Sequence, residues 1–198
     1  LHRVDRRQRQ MCIRDRSFSS KCALFTYHPV TLKETDIKSD LSSIFNVLAI
    51  FNFNILFTYA NADSGGKIIN QNIEKFCKNN SKKYKVVKSL GQVKYLSAMK
   101  HVDLLIGNSS SGIIEAASFE KAVVNIGDRQ KGRIKGPNII DCHIDSLKES
   151  IIFAMSDLFI KTITNMNNIY GSGKAADFIV DKLKSEPLSV VKTFKDHF

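Results

Sequence analysis

From residue 21 onward, short apolar runs rich in Val, Ile and Phe alternate with longer stretches in which apolar residues recur every three or four positions. Runs of the first kind predict buried strands, and stretches of the second kind predict amphipathic helices. Strands are expected over residues 22–27, 54–59, 84–87, 103–106, 122–126 and 138–141. Helices are expected over 36–51, 67–78 and 92–101, with two more over 146–161 and 173–184. Thr35 or Asp36 can cap the first helix, whose apolar stripe is Ile37, Leu41, Ile44, Phe45 and Leu48. Pro187 ends the last one.

Strands that alternate with helices build βαβ units, so the predicted fold class is α/β, a Rossmann-like parallel sheet flanked by helices. Right-handed crossovers then bring the C-terminal strand ends to a common edge, where ligands of such sheets bind. With 198 residues, 43% of them apolar, the chain can hold one sizeable domain of this kind, expected over 17–185 with a tail over 186–198. There is no internal repeat. Gly171-Ser-Gly-Lys174 lacks the preceding strand and the spacing of a P-loop, and is expected to be a turn between helices.

Charge changes the picture only at the start. The formal charge is +11, but residues 1–16 hold six Arg against two Asp and supply +4 of it. This leader has neither a hydrophobic period nor the apolar run of a signal peptide. Its Met11-Cys-Ile-Arg-Asp-Arg16 core resembles translated adapter sequence, so residues 1–16 are expected to be a non-native Arg-rich leader on a truncated gene fragment. An Arg arm for nucleic acid is the other reading, disfavoured by the lack of interleaved aromatics, and no nucleic-acid partner is expected. The later lysines are scattered as on a solvated surface. Cys12, Cys22, Cys77 and Cys142 have neither disulfide-framework nor zinc spacing, which points to a reducing compartment. No apolar run nears the roughly 18 residues of a membrane span, so a cytoplasmic domain without a membrane partner is expected.

The most distinctive chemistry lies where the fourth strand runs into Gly107-Asn-Ser-Ser-Ser-Gly112, with Glu115 following. Free N–H groups at a helix start favour phosphoryl oxygens, and Ser109, Ser110 and Ser111 add hydroxyl donors. Glu115 suits the two hydroxyls of a ribose, although a Ser-capped helix with Glu115 completing a capping box is an equally good reading of the spacing. His28 follows the first strand and is held by Pro29 at the sheet mouth, where it could donate to a phosphate, move a proton or cap a neighbouring loop. Arg129 is a candidate for a diphosphate or for holding its loop together, whereas Lys131 and Arg133 are expected to face solvent. No nucleophile with an adjacent base, and no metal site, stands out.

Taken with their order and spacing, four motifs resemble the C-terminal half of the hydrolysing UDP-N-acetylglucosamine 2-epimerases. They are Tyr27-His-Pro-Val-Thr31, Asn61-Ala-Asp-Ser-Gly65, Ile106-Gly-Asn-Ser-Ser-Ser-Gly112 with Glu115, and Asn125-Ile-Gly-Asp-Arg-Gln-Lys-Gly-Arg133. The resemblance spans roughly 21–184 and is strongest to bacterial sialic-acid and legionaminic-acid pathway members. It implies two Rossmann-like domains in a glycosyltransferase-B arrangement, with the nucleotide held mainly by the C-terminal one. It implies Ser109 and Ser110 on the diphosphate, Glu115 on the ribose and His28 and Arg129 at the phosphate end, with His28 the catalytic candidate. Asn61 would lie near the nucleotide, and the Leu90 backbone would meet the uracil ring.

The implied reaction eliminates UDP from a UDP-sugar to give a glycal, then adds water to release the 2-epimer, with neither metal nor cofactor. A glycosyltransferase-B nucleotide-sugar domain and a UDP-2,4-diacetamido-sugar 2-epimerase are the alternatives. The resemblance also implies a partner outside these residues: an N-terminal domain that supplies acidic groups around the sugar. Without that half of the active site, little or no turnover is expected. Whether the full-length enzyme is a homo-oligomer is left open by the sequence.

Overall fold

The structure is a computed structural model that describes residues 21–30 and 36–186. The Arg-rich leader and the tail after residue 186 lie outside the described residues, as does Thr35. Six strands form one sheet: β1 (Cys22–Thr26), β2 (Asn54–Thr58), β3 (Tyr84–Val87), β4 (Leu104–Gly107), β5 (Ala122–Ile126) and β6 (Ile139–Cys142). All neighbours pair in parallel, in the order β3-β2-β1-β4-β5-β6. The helices are α1 (Ile37–Ile50), α2 (Gly66–Asn79), α3 (Gly91–His101), the short α4 (Ser110–Ile114), α5 (Leu147–Ala154), α6 (Asp157–Ile163) and α7 (Ala175–Ser185). The expected Rossmann-like sheet is therefore present, with each strand within a residue or so of its predicted place.

Because both faces are covered, the strands are mostly apolar, with polar residues such as Lys85 and Asp141 confined to the outer strands β3 and β6 or, like Thr26, Thr58 and Asn125, at or near strand ends. The pleat divides the side chains between two cores. Phe25, Ile55, Phe57, Ile106 and Val124 face the larger core, shared with Leu41, Ile44 and Leu48 of α1, Ile69 and Ile73 of α2, and Ile151 of α5. Leu24, Leu105 and Val123 face the smaller one, beneath Met99 of α3 and Ala116. Aromatic rings knit the larger core: Phe45 stacks on Phe76 at 4.4 Å and Phe76 on Tyr84 at 4.8 Å between ring centres. Asp36 caps α1 as anticipated, its side chain accepting the Lys38 N–H at 3.0 Å. Leu41, Ile44, Phe45 and Leu48 of the expected stripe are buried.

Two elements differ from expectation. The single helix expected over 146–161 is two, α5 and α6, because the Ser156 side chain caps a new helix by accepting the Phe159 N–H at 3.2 Å. The helix expected after the Ser turn is only the five residues of α4, followed by a 3₁₀ turn over Ala116–Phe119. Ser109 is the cap of α4, so the capping-box position three residues on is Gly112, and Glu115 lies at the far end of the helix. The capping-box reading of Glu115 is therefore incorrect.

Candidate functional site

Chain connections reverse direction between β1 and β4, which stand side by side at the centre of the sheet. In open parallel sheets this reversal leaves a crevice beyond the C-terminal strand ends, because the loops on either side depart to opposite faces. Thr26 pairs with Gly107, so the two strands end level and the residues that follow meet. Gly107 makes this approach possible: its φ is +139°, and a Cβ there would sit 1.9 Å from the Thr26 carbonyl oxygen.

Asn108 is fully buried at the meeting point. Its Oδ1 accepts the His28 backbone N–H at 2.7 Å, and its Nδ2 donates to the His28 carbonyl at 2.9 Å. Its own carbonyl accepts from Arg129 at 3.1 Å and from Gln130 Nε2 at 2.9 Å. One residue therefore ties the loops after β1, β4 and β5 together. The loop after β2 joins through the imidazole, since the Asn61 N–H donates to His28 Nδ1 at 3.1 Å.

That last bond defines the chemistry of His28. An acceptor Nδ1 assigns the ring proton to Nε2. Burial, then the Arg129 charge, lowers the imidazole pKa to about 4, against a smaller opposing pull from Asp63. His28 is 6% exposed, covered at the sheet edge rather than open at its mouth. At neutral pH it is an uncharged ring offering an N–H donor, not a base poised near 7.

On the β4 side, Ser109 and Ser111 share a hydroxyl contact of 2.9 Å. The chain continues from Ser111 to the Tyr95 hydroxyl at 2.7 Å, to Thr26 at 3.2 Å and to Thr58 at 2.7 Å. Five hydroxyls thus run from the Ser turn down between the strands. Ser110, the first residue of α4, is half-buried. Glu115 is half-buried too, and its Oε2 is enclosed without a hydrogen-bond partner while burial raises its pKa. An unpaired carboxylate oxygen costs free energy when buried, and burial accordingly favours the neutral acid.

Among the predicted residues, His28, Asn61 and Arg129 are brought together through Asn108, with Ser109 and Ser110 following it directly. Leu90 stands apart, at the start of α3 beyond the outermost strand β3. A cleft of about 660 Å³ opens beside the loop over residues 59–65 and is walled by Lys67, Asn70 and Glu74 of α2. Lys131 and Arg133 are exposed as expected. Sequence reasoning gave no role to Asn108, Gln130 or Tyr95. The only local signals were an amide directly after a buried strand and a lone Gln inside a basic loop.

The profile of the UDP-N-acetylglucosamine 2-epimerase family matches residues 1–184. A GDP/UDP-N,N'-diacetylbacillosamine 2-epimerase (hydrolyzing) of Campylobacter jejuni is 44% identical over 128 residues, covering 64% of this chain and 33% of that protein. A UDP-N,N'-diacetylbacillosamine 2-epimerase (hydrolyzing) of Legionella pneumophila is 33% identical over 168 residues, covering 85% of this chain and 44% of that one. The crystal structure of UDP-GlcNAc 2-epimerase from Neisseria meningitidis bound to UDP-GlcNAc shares the fold at 16% identity and a TM-score of 0.64, covering 93% of this chain and 49% of that one. The chain thus spans between a third and a half of the length of these proteins.

Proposed function

The chain belongs to the UDP-N-acetylglucosamine 2-epimerase family, and on that premise we propose that its switch-point crevice holds the UDP of a UDP-2-acetamido sugar in a hydrolysing 2-epimerase. UDP leaves C1 as a proton leaves C2, giving a glycal. Water then adds its hydroxyl to C1 and a proton to the opposite face of C2, releasing UDP and, from UDP-GlcNAc, N-acetylmannosamine. The observation that carries this reading is the convergence of His28, Arg129 and the Ser turn on one buried residue, Asn108.

In this reading the N–H groups and hydroxyls of Ser109 and Ser110 take the diphosphate, and Arg129 neutralises it. His28 donates its Nε2–H to the same group as charge builds on the departing UDP. Glu115, half-buried at the end of α4, accepts from the ribose hydroxyls. Asn61 and the Leu90 backbone flank the base. α4 has only five residues, so its macrodipole is small and the individual donors carry the phosphate affinity. The sugar is handled by acidic groups of an N-terminal domain, and the 198 residues alone bind UDP with little turnover.

A second substrate, a UDP-2,4-diacetamido sugar, is favoured by the names of the relatives that are 44% and 33% identical. Release of free epimer from each sugar by a protein containing this chain and an N-terminal half separates the two. Transfer to an acceptor instead would indicate a glycosyltransferase. The direct test of the seat is calorimetric titration of UDP into the chain, with Ser110→Ala and Glu115→Ala. Saturable binding that weakens about tenfold or more in both variants is expected, the loss of roughly 1.4 kcal/mol each. Wild-type affinity in both variants, or no binding by the folded chain, overturns the reading.

A further inference from the structure

We propose that Asn108 and Gln130 are positioning residues that hold His28 and Arg129 as one preorganised unit. Asn108 is fully exposed to protein and not at all to solvent, and Gln130 is 2% exposed, so neither is retained for solubility. A buried side-chain amide is costly unless its donors and acceptor are used. Asn108 uses its amide on the two backbone groups of a single residue, His28, as a neighbouring strand would. The sheet ladder between β1 and β4 ends at Thr26 and Gly107, and this side chain extends the pairing two residues further, to the imidazole-bearing position. With the His28 backbone held, the ring reaches the Asn61 N–H, which selects the tautomer with Nε2 protonated.

Gln130 works on the other side. Its Nε2 and the Arg129 guanidinium converge on the Asn108 carbonyl. Gln130 shares the load that would otherwise rest on Arg129 alone, leaving the remaining guanidinium N–H groups of Arg129 for an anion. The Gln130 Oε1 is buried without a hydrogen-bond partner, so the donor bond to the Asn108 carbonyl is the side-chain contact that the residue makes here. An unaided Arg on a loop would lose more side-chain entropy on binding. This proposal rests on the nucleotide reading for the identity of the ligand, but not for its test.

The experiment follows the His28 imidazole by nitrogen and carbon NMR in the ligand-free chain, for wild type, Asn108→Ala and Gln130→Leu. The charged groups that act on the ring are Arg129 from the β5 loop and Asp63 from the β2 loop, so both are left in place. In wild type the ring is expected as the single Nε2–H tautomer, titrating well below an ordinary histidine. In Asn108→Ala the tautomers mix and the titration moves upward by a pH unit or more. In Gln130→Leu, which keeps the His28 clamp and therefore a safer fold, the shift is smaller, and UDP affinity falls about three- to tenfold. An unchanged tautomer and titration in Asn108→Ala, with only a lower melting temperature, overturns the proposal. Should Asn108→Ala not fold, a His28 tautomer and titration unchanged from wild type in Gln130→Leu overturn it. Absence of UDP binding by wild type sinks the nucleotide reading alone, because the imidazole measurements still decide the positioning role.

Discussion

The candidate site residues owe their chemistry to what encloses them, and His28 shows it most clearly. His28 has a pKa lowered from 6.5 to about 4, so between those values the unfolded chain binds a proton that the folded chain does not. Its contribution to stability is complete above pH 6.5 and is lost as the pH falls from there toward 4. The slope of unfolding free energy against pH there should gain up to about 1.4 kcal/mol per unit from this one group. Denaturant titrations across pH 4–7 should show His28→Gln with a flatter profile; an identical profile would mean that His28 is not held neutral. The sequence marked His28, Arg129 and Glu115 as candidates because each follows a strand or a turn. It could not mark Asn108, whose importance lies in contacts with residues 80 and 22 positions away in the chain.

At the scale of elements, the strand ends do the positioning. Gly107 lets β4 pass the Thr26 carbonyl with a Cβ distance of 1.9 Å that no side chain tolerates. Gly107→Ala should therefore destabilise the chain by on the order of 3 kcal/mol or more, well beyond an ordinary glycine replacement. Thermal unfolding measures it, and a loss under 1 kcal/mol would show that the two strands can part without harm. The hydroxyl chain couples α3 to α4 across this junction. Tyr95→Phe removes its middle link, between Ser111 and Thr26, and should cost about 1 kcal/mol and weaken UDP binding. Unchanged stability and affinity would make the chain of hydroxyls incidental. The break between α5 and α6 was legible at Ser156-Asp157, a cap signal, but the apolar periodicity runs on through it and dominates the reading.

At the scale of the whole molecule, the exposed apolar residues among those described are concentrated late in the chain. α7 has no buried residue, and Phe178, Ile179 and Leu183 are 70%, 58% and 56% exposed. An apolar face of this kind drives association when it is left in water. Light scattering should show a mass that climbs with concentration and returns toward the monomer in Phe178→Asp. A concentration-independent monomer would overturn that expectation. Among the described residues no helix is long and apolar enough to cross a membrane.

The sequence by itself determined the class of fold, the strands to within a residue or so, most of the helices, and the four loops that carry polar chemistry. It did so because burial on both faces writes a mostly apolar run for the inner strands and a three-to-four period for the longer helices. The meeting of His28 and the Ser turn was expected from the sequence, but only the tertiary structure decided that β1 and β4 lie side by side, that Asn108 joins their loops, and that His28 is neutral. Strand order depends on which edges pair across tens of residues, and local patterning is the same for any order. A pKa follows from burial and from charges that arrive from distant loops, so the sequence lists the groups while the packing sets their protonation.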